Sequence, residues 1–184
     1  GWFTKIGDST RNRIAHVDSM GRVTSRFSGK GFNNLVNALA LHQGNLYVGG
    51  TFSSYGAMKS FGVAVNMNNG KADSNGVIPD GWLNTVISDG RGGWFIGGGF
   101  TRVGGVIRKG IAHIDSTGSL TDWSPHVNGV VYSLALTGRT LYVGGYFTSA
   151  GNFYRNNVAA IDIYTGDVLP WNPNVNATVY CLAV

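Results

Sequence analysis

Histidine side chains are the first place to look for chemistry, and the sequence contains four of them. His16 and His113 occupy equivalent places in two short apolar stretches, residues 14–17 and 111–114, so they could form a symmetric metal or catalytic pair. No His-x-His or Glu-x-x-His spacing supports a zinc site. A histidine set between apolar residues in a strand can instead hydrogen-bond within its own sheet. We therefore predict neither a metal site nor a cofactor.

Signatures of catalysis are otherwise missing from the sequence. The nine acidic residues include no distinct pair suited to glycosidase chemistry, and there is no Gly-x-Ser-x-Gly or Walker motif. The glycine run at residues 97–99 leads into Phe100 and not into a helix. Residues 73–76 (Asp-Ser-Asn-Gly) resemble part of a calcium loop but lack its ligand series and closing Glu, so we expect a turn. These observations predict that the protein is not an enzyme.

A basic residue precedes each of four short apolar segments, and an Asp or Asn follows each segment. The basic positions are Arg11, Lys59, Arg108 and Arg155, and the polar positions are Asp18, Asn66, Asp115 and Asp162. A group that is repeated in every unit is expected to serve the unit and not a single active site. We predict ion pairs within or between units. The alternative is that the cations point into a central channel, where they would form a ring suited to an acidic ligand.

Aromatic and amide side chains are the better candidates for ligand binding. Tyr55, Phe153 and Tyr154 fall in predicted loops, and Asn152 lies beside the last two. Aromatic faces together with amide groups suit sugar rings or extended peptides. The alternative is that these aromatic side chains cover the edge of a neighbouring unit.

Four repeats of about 48 residues must position these groups. Each repeat begins with a glycine that is followed two positions later by Phe. These glycines are Gly1, Gly50, Gly98 and Gly145, and we place the repeats at residues 1–49, 50–97, 98–144 and 145–184. Each repeat has a glycine-containing loop, a short apolar strand, an Asx-plus-glycine turn, a strand with a late aromatic residue and another apolar strand. The late aromatics are Phe27, Trp123 and Trp171, and the second repeat is degenerate. The pattern predicts four strands per repeat and no helix.

The double glycine that ends a strand, the Asp-to-Gly turn and the Trp beyond it resemble the kelch repeat. Residues 155–162 with 171–173 and 179–184 are most similar to the delta-60 class of repeats in bacterial secreted and surface propellers. The resemblance implies an all-β β-propeller with four-stranded antiparallel blades, in which Trp123 and Trp171 lie between adjacent blades. Residues 1–184 would be a single propeller segment, cut within a blade at both ends. A larger propeller of six to eight blades is the preferred interpretation, and a four-bladed ring lacking one strand is the alternative.

Composition favours a binding role outside the cell. Charged residues make up only 12% of the chain, about half the usual share, and the net charge is +5. Basic residues form no run longer than two, which predicts no nucleic-acid partner, and no apolar run is long enough for membrane insertion. We expect an extracellular or cell-surface adhesion module that presents loops to glycan or protein ligands and contacts the rest of its propeller or further subunits. The alternative is a purely structural stalk or scaffold.

Overall fold

The computed structural model describes residues 1–26, 31–42, 44–55, 61–67 and 77–184, and every regular element assigned there is a β-strand. The expected all-β class is therefore confirmed. In chain order the strands are β1 (Lys5–Ile6), β2 (Ser9–Thr10), β3 (Val36–His42), β4 (Asn45–Gly50), β5 (Gly62–Asn66), β6 (Leu83–Ser88), β7 (Trp94–Gly98), β8 (Arg102–Val103), β9 (Val106–Ile107), β10 (Ile111–Ile114), β11 (Val130–Thr137), β12 (Thr140–Tyr146), β13 (Ser149–Ala150), β14 (Phe153–Tyr154) and β15 (Val158–Asp162).

Three antiparallel sheets repeat one topology along the chain. Their strand orders are β3-β4-β5, β6-β7-β10 and β11-β12-β15, which we call sheets one, two and three. The predicted outer strand is reduced to one bridged residue pair, Ile114 with Leu120 in sheet two and Ile161 with Val168 in sheet three. Each sheet thus has three assigned strands, and the fourth strand that the sequence predicted is not confirmed. Phe27, Lys59 and residues 73–76 lie outside the described part of the chain.

Small hairpins replace the loops that the sequence predicted between the second and third strands. They are β1–β2, β8–β9 and β13–β14, each with two residues per strand. Their turns contain Gly7, Gly104 and Gly151, which have φ angles of 53°, 57° and 54°. This left-handed conformation suits glycine because a Cβ atom would strain it. The repeated loop glycine therefore marks a tight turn, which the sequence pattern did not distinguish from an open loop.

Adjacent sheets approach closely where the second strand of each sheet ends in glycine. A Cβ atom on Gly49 would lie 2.9 Å from Cβ of Leu83, and one on Gly97 would lie 2.6 Å from Cγ1 of Val131. Both partners belong to the first strand of the following sheet. Neither position therefore has room for a larger side chain unless its neighbour shifts.

The first strands β3, β6 and β11 pack side by side in chain order, and each carries a β-bulge. The bulged residues are Asn37, Asn84 and Tyr132. Nδ2 of Asn37 donates to the carbonyl of Leu83 at 3.2 Å, and Nδ2 of Asn84 donates to the carbonyl of Val131 at 3.0 Å. The extra residue in the strand thus directs a side chain to the next sheet. These amide contacts join the three sheets in sequence.

The two repeat tryptophans have different environments. Trp123 is 7% exposed, and its Nε1 donates to the carbonyl of Asp162 in sheet three at 3.0 Å. Its ring also packs edge-on against Phe95 of sheet two, so its expected place between sheets is confirmed. Trp171 is 43% exposed and meets the ring of Tyr142 in its own sheet. The expectation that Trp171 is buried between blades is wrong here because it follows β15, the last strand of the last described sheet.

Candidate functional site

Antiparallel pairing gives the stack of sheets two distinct ends. One end, the hairpin face, comprises the hairpins with the residues that follow them (5–13, 102–110 and 149–157) and the segments that bracket them (31–34, 78–81 and 125–128). The other end, the turn face, comprises the turns at 17–23, 88–94, 114–120, 137–140 and 161–168. The strands of the three sheets have four to eight residues, and eight of the nine have at least five, so the two faces are separated by roughly 15–25 Å.

Residues 125–128 join neighbouring hairpins into one surface. The amide of Val127 donates to the carbonyl of Lys109, just beyond β9, at 2.9 Å. On the other side Val127 bridges Ala150, and the amide of Gly151 donates to the carbonyl of Pro125 at 2.6 Å. Hairpins β8–β9 and β13–β14 are therefore held in a fixed relation on the same face.

A polar side chain ahead of each first strand binds the backbone just beyond the second strand of the same sheet. Oδ1 of Asn33 accepts from the amides of residues 53 and 54, and Oδ1 of Asp80 accepts from the amides of residues 101 and 102. Asn128 does the same for residues 148 and 149, at 2.9 Å each. These groups were not predicted, although an Asn or Asp recurs at 33, 80, 128 and 176, which are 47, 48 and 48 residues apart.

Two neighbouring hairpins expose apolar side chains at equivalent positions. Val106 and Ile107 of β9 are 47% and 48% exposed, and Phe153 and Tyr154 of β14 are 53% and 63% exposed. The facing strands β8 and β13 instead bury Val103 and Ala150 in the core. Buried contacts on one strand thus hold a second strand whose apolar side chains remain in solvent. This arrangement presents apolar groups from a rigid support, which suits a ligand-binding surface.

The ring of Phe153 is held in place by a neighbouring arginine. The guanidinium of the buried Arg155 lies 5.4 Å from the centre of the Phe153 ring, a cation–π contact. Asn152, in the same hairpin, is exposed and its amide makes no hydrogen bond to the described residues. Phe153, Asn152 and Tyr154 are therefore brought together, and the structure leaves their aromatic and amide groups accessible.

Tyr55 does not belong to this group. Its side chain is buried and stacks on Phe32, with ring centres 4.7 Å apart. Burial also raises the pKa of its hydroxyl above the ordinary value of 10.0. The expectation that Tyr55 is exposed to a ligand is wrong, and the alternative in which it packs against its surroundings holds for this residue. The sequence could not separate the two because the burial depends on Phe32, 23 positions away.

The recurring basic residues bind backbone carbonyls and not the predicted aspartates. Arg108 donates through Nη1 to the carbonyl of Ile107 at 2.8 Å and through Nη2 to that of Thr121 at 2.7 Å. Arg11 and Arg155 make the equivalent pairs of contacts, to residues 10 and 24 and to residues 154 and 169. The predicted ion pairs are therefore wrong for the three arginines, and so is the channel alternative. Lys59 lies outside the described residues.

The turn aspartates cap their own turns. Oδ1 of Asp115 accepts from the amides of Thr117 and Ser119 at 2.8 and 3.0 Å, and the hydroxyl of Thr117 also donates to it. These hydrogen bonds lower the pKa of Asp115 below its ordinary 3.8. Asp18 and Asp162 cap the equivalent turns, and they pair with Arg22 and Arg139 and not with the repeated arginines.

The histidine at residue 113 belongs to the framework of its sheet. Nε2 of His113 lies 3.0 Å from Oδ2 of Asp89, and Nδ1 lies 3.2 Å from the hydroxyl of Thr121. Nδ1 of His16 makes the equivalent contact with Thr24 at 3.0 Å. His113 thus bonds within its own sheet, as the sequence pattern favoured, and His16 bonds within its own repeat. Among the described residues, no group of three or more His, Cys, Asp or Glu side chains is placed to hold a metal ion.

His126 lies between the two hairpins that expose apolar groups. The amide of Lys109 donates to Nδ1 at 3.4 Å, and Nε2 lies 3.1 Å from the hydroxyl of Ser124. Because Nδ1 is an acceptor, the neutral ring carries its proton on Nε2, so it cannot take a proton from Ser124 through that nitrogen. Burial lowers the pKa of His126, and the charges of Arg108 and Lys109 lower it further. This pair is therefore a structural contact and not a nucleophile with its base.

The described residues contain no helix that is long and apolar enough to cross a membrane. The sequence also matches no protein-family model and no curated protein.

Comparison with solved structures identifies the fold. The chain is similar to the computationally designed protein Ika4, with a TM-score of 0.57 and 14% identity over 82% of this chain and 80% of that one. It is also similar to the designed protein Ika8 (TM-score 0.56, 13% identity, 82% of this chain and 40% of that one). A third similarity is to the WD40 domain of Pan2 from Neurospora crassa (TM-score 0.51, 10% identity, 87% and 46%).

WD40 domains are β-propellers, so the stacked sheets of this chain have a propeller-like arrangement. The chain spans less than half the length of the Ika8 and Pan2 chains that it matches. At 14% identity or less, these likenesses establish the fold and carry nothing about function.

Proposed function

We propose that this protein is a non-enzymatic binding module that presents its hairpin face to glycan or protein ligands. One observation carries the proposal: Val106, Ile107, Phe153 and Tyr154 expose apolar surface from equivalent places on two linked hairpins. Apolar groups held in solvent by a rigid framework favour association with a partner. The exposed amide of Asn152, in the turn that precedes Phe153, supplies the polar contact that fixes a ligand's orientation.

Two tyrosines on opposite faces provide a matched test. Tyr154→Ala changes the hairpin face, and Tyr164→Ala changes an exposed tyrosine of the turn face. Wild type and both variants are applied to a glycan array and to a pull-down of extracellular proteins. We expect Tyr154→Ala to lose at least about tenfold in affinity for bound ligands, and Tyr164→Ala to keep wild-type binding. Equal binding by both variants would remove the hairpin face from the proposal.

The proposed setting is extracellular or at the cell surface. The low share of charged residues supports it, as does the proposed class of ligand. The corresponding test is to add a protease to intact cells and to detect the natural protein afterwards. A protein at the cell surface should be removed by this treatment. A protein protected from protease until the cells are lysed would contradict this setting.

We further propose that each sheet and its bridged outer segment form one four-stranded, kelch-like blade of the delta-60 class. The outer bridges of Ile114 with Leu120 and Ile161 with Val168 support this, because each lies where a fourth strand would pair. An experimental structure of the natural protein would test both the number of strands per blade and the number of blades.

A structural scaffold is the second candidate function. Leu39 and Leu41 on β3, the first strand of sheet one, are exposed, as are Trp171 and Tyr180 near the other end of the stack. Apolar surface at both ends of a stack favours contact with further sheets or subunits. The scaffold function would be supported if the hairpin variants bind ligands normally and only variants of these end residues fail to assemble with further sheets or subunits.

A further inference from the structure

Charge is divided unequally between the two faces. The hairpin face contains seven basic residues, Lys5, Arg11, Arg13, Arg102, Arg108, Lys109 and Arg155, and two acidic residues, Asp8 and Asp80. The turn face contains three basic residues, Arg22, Arg91 and Arg139, and five acidic residues, Asp18, Asp89, Asp115, Asp162 and Asp167. Formal charge is therefore +5 (7 − 2) on the hairpin face and −2 (3 − 5) on the turn face.

The positive charge of the hairpin face is not neutralised by carboxylates within it. The ion pairs of the described residues join Arg22, His113 and Arg139 to aspartates that all belong to the turn face, namely Asp18, Asp89 and Asp162. Arg108 and Arg155 are buried against backbone carbonyls, which are neutral acceptors. Arg102 and Lys109 are exposed beside them. The charges of Arg108 and Lys109 also act on His126, which lies between the hairpins.

We propose that the hairpin face binds an anionic polysaccharide, with its carboxylate or sulfate groups at Arg102 and Lys109 and a sugar ring on Phe153. This inference rests on the proposed function and names the class of ligand. The charge selects an anion, and the exposed Phe153 ring together with the exposed amide of Asn152 in the same hairpin favours a sugar over an acidic peptide. The polymer would follow the row of hairpins, which 125–128 hold together.

Two double variants separate local attraction from overall charge. Arg102→Gln with Lys109→Gln removes two charges from the hairpin face, and Arg22→Gln with Arg91→Gln removes two from the turn face. Both lower the formal net charge from +5 to +3 (5 − 2). At 0.15 M salt the screening length is about 8 Å, well below the distance of roughly 15–25 Å between the faces. Charges on the turn face should therefore have little effect on a ligand at the hairpins.

Titration calorimetry at 0.15 M salt uses dextran sulfate, its neutral counterpart dextran, polygalacturonate as a carboxylate polymer and polyglutamate as an acidic peptide. We expect at least one anionic polysaccharide to bind. The hairpin-face variant should weaken that binding by about tenfold and the turn-face variant by less than about twofold. Sulfate and carboxylate sources are distinguished by which of the two polymers binds more tightly.

Several results would overturn the inference. Equal losses in the two double variants would indicate an unspecific charge effect, and equally tight polyglutamate would indicate an acidic peptide. If neither anionic polysaccharide binds while the array or pull-down identifies a ligand that Tyr154→Ala loses, the proposed function stands and only the ligand class is wrong. If no ligand of any kind depends on Tyr154, both fail together.

Discussion

Buried arginines are the main structural device at the scale of single residues. Each lies three residues before a third strand and holds two carbonyl groups, one from the preceding hairpin and one from the outer segment of the same repeat. A planar guanidinium with several donors is suited to this bridging role in a way that lysine is not. The repeated cation therefore fastens the hairpin to its sheet.

Arg155→Met should lower the free energy of unfolding by about 1–3 kcal/mol, because two part-buried carbonyls lose their donor. Its matched control is Arg102→Met, which changes an exposed arginine whose side chain, within the described part of the chain, hydrogen-bonds only to Gly105 of its own hairpin. The control should stay within about 0.5 kcal/mol of wild type. Urea denaturation of both variants makes the comparison. Equal stabilities would show that Arg155 does not hold the hairpin.

The cap at Asp115 makes stability depend on pH. Its folded pKa lies below the ordinary 3.8, so its charged form stabilises the fold fully above that pH. The contribution is lost as pH falls below 3.8 through the folded pKa. Asp115→Asn keeps a neutral oxygen at the cap, so wild type should be the more stable at pH 6 and the difference should shrink towards pH 2. The denaturation midpoints of both proteins are measured from pH 6 to pH 2. A difference between them that stays constant over this pH range would contradict the role of Asp115 as a charged cap.

At the scale of elements, the interface between sheets two and three depends on one indole. Trp123→Ala should cost about 3–5 kcal/mol, because it removes a buried ring and its bond to Asp162. Trp171→Ala should cost only about 1 kcal/mol, since that ring is largely in solvent. Urea denaturation of these two variants tests whether the loss in free energy of unfolding depends on the position of the Trp in its repeat or on its burial. Equal losses would favour position.

Sequence patterns predicted the elements better than their contacts. The spacing of double glycines and Asx turns predicted the order of strands, because both devices act locally. The hairpins were predicted as loops, since two-residue strands are too short to show an alternation of polar and apolar residues. Phe153, Tyr154 and Asn152 were correctly expected to be accessible, whereas Tyr55 was not, because its burial depends on Phe32. The arginine contacts could not be foreseen, since backbone carbonyls leave no mark in the sequence.

At the scale of the whole molecule, the sheets stack only because glycine occupies their closest approach. Gly97→Ala would place a Cβ atom 2.6 Å from Val131 and 2.8 Å from Thr85, and it should cost about 1–3 kcal/mol. Adding Val131→Ala relieves one of the two clashes. The double variant should therefore be more stable than the sum of the two single effects, as measured by thermal or urea unfolding. Strict additivity would contradict this close contact.

Hydrogen exchange of the complex with the tightest ligand from the glycan array or pull-down tests the central claim, that the hairpin face is the binding surface. We predict slower exchange on binding in residues 102–110 and 149–157, which contain β8–β9 and β13–β14. Exchange in the turns at 88–94, 137–140 and 161–168 should be unchanged. Protection confined to those turns, or to the exposed first strand β3, would contradict the claim.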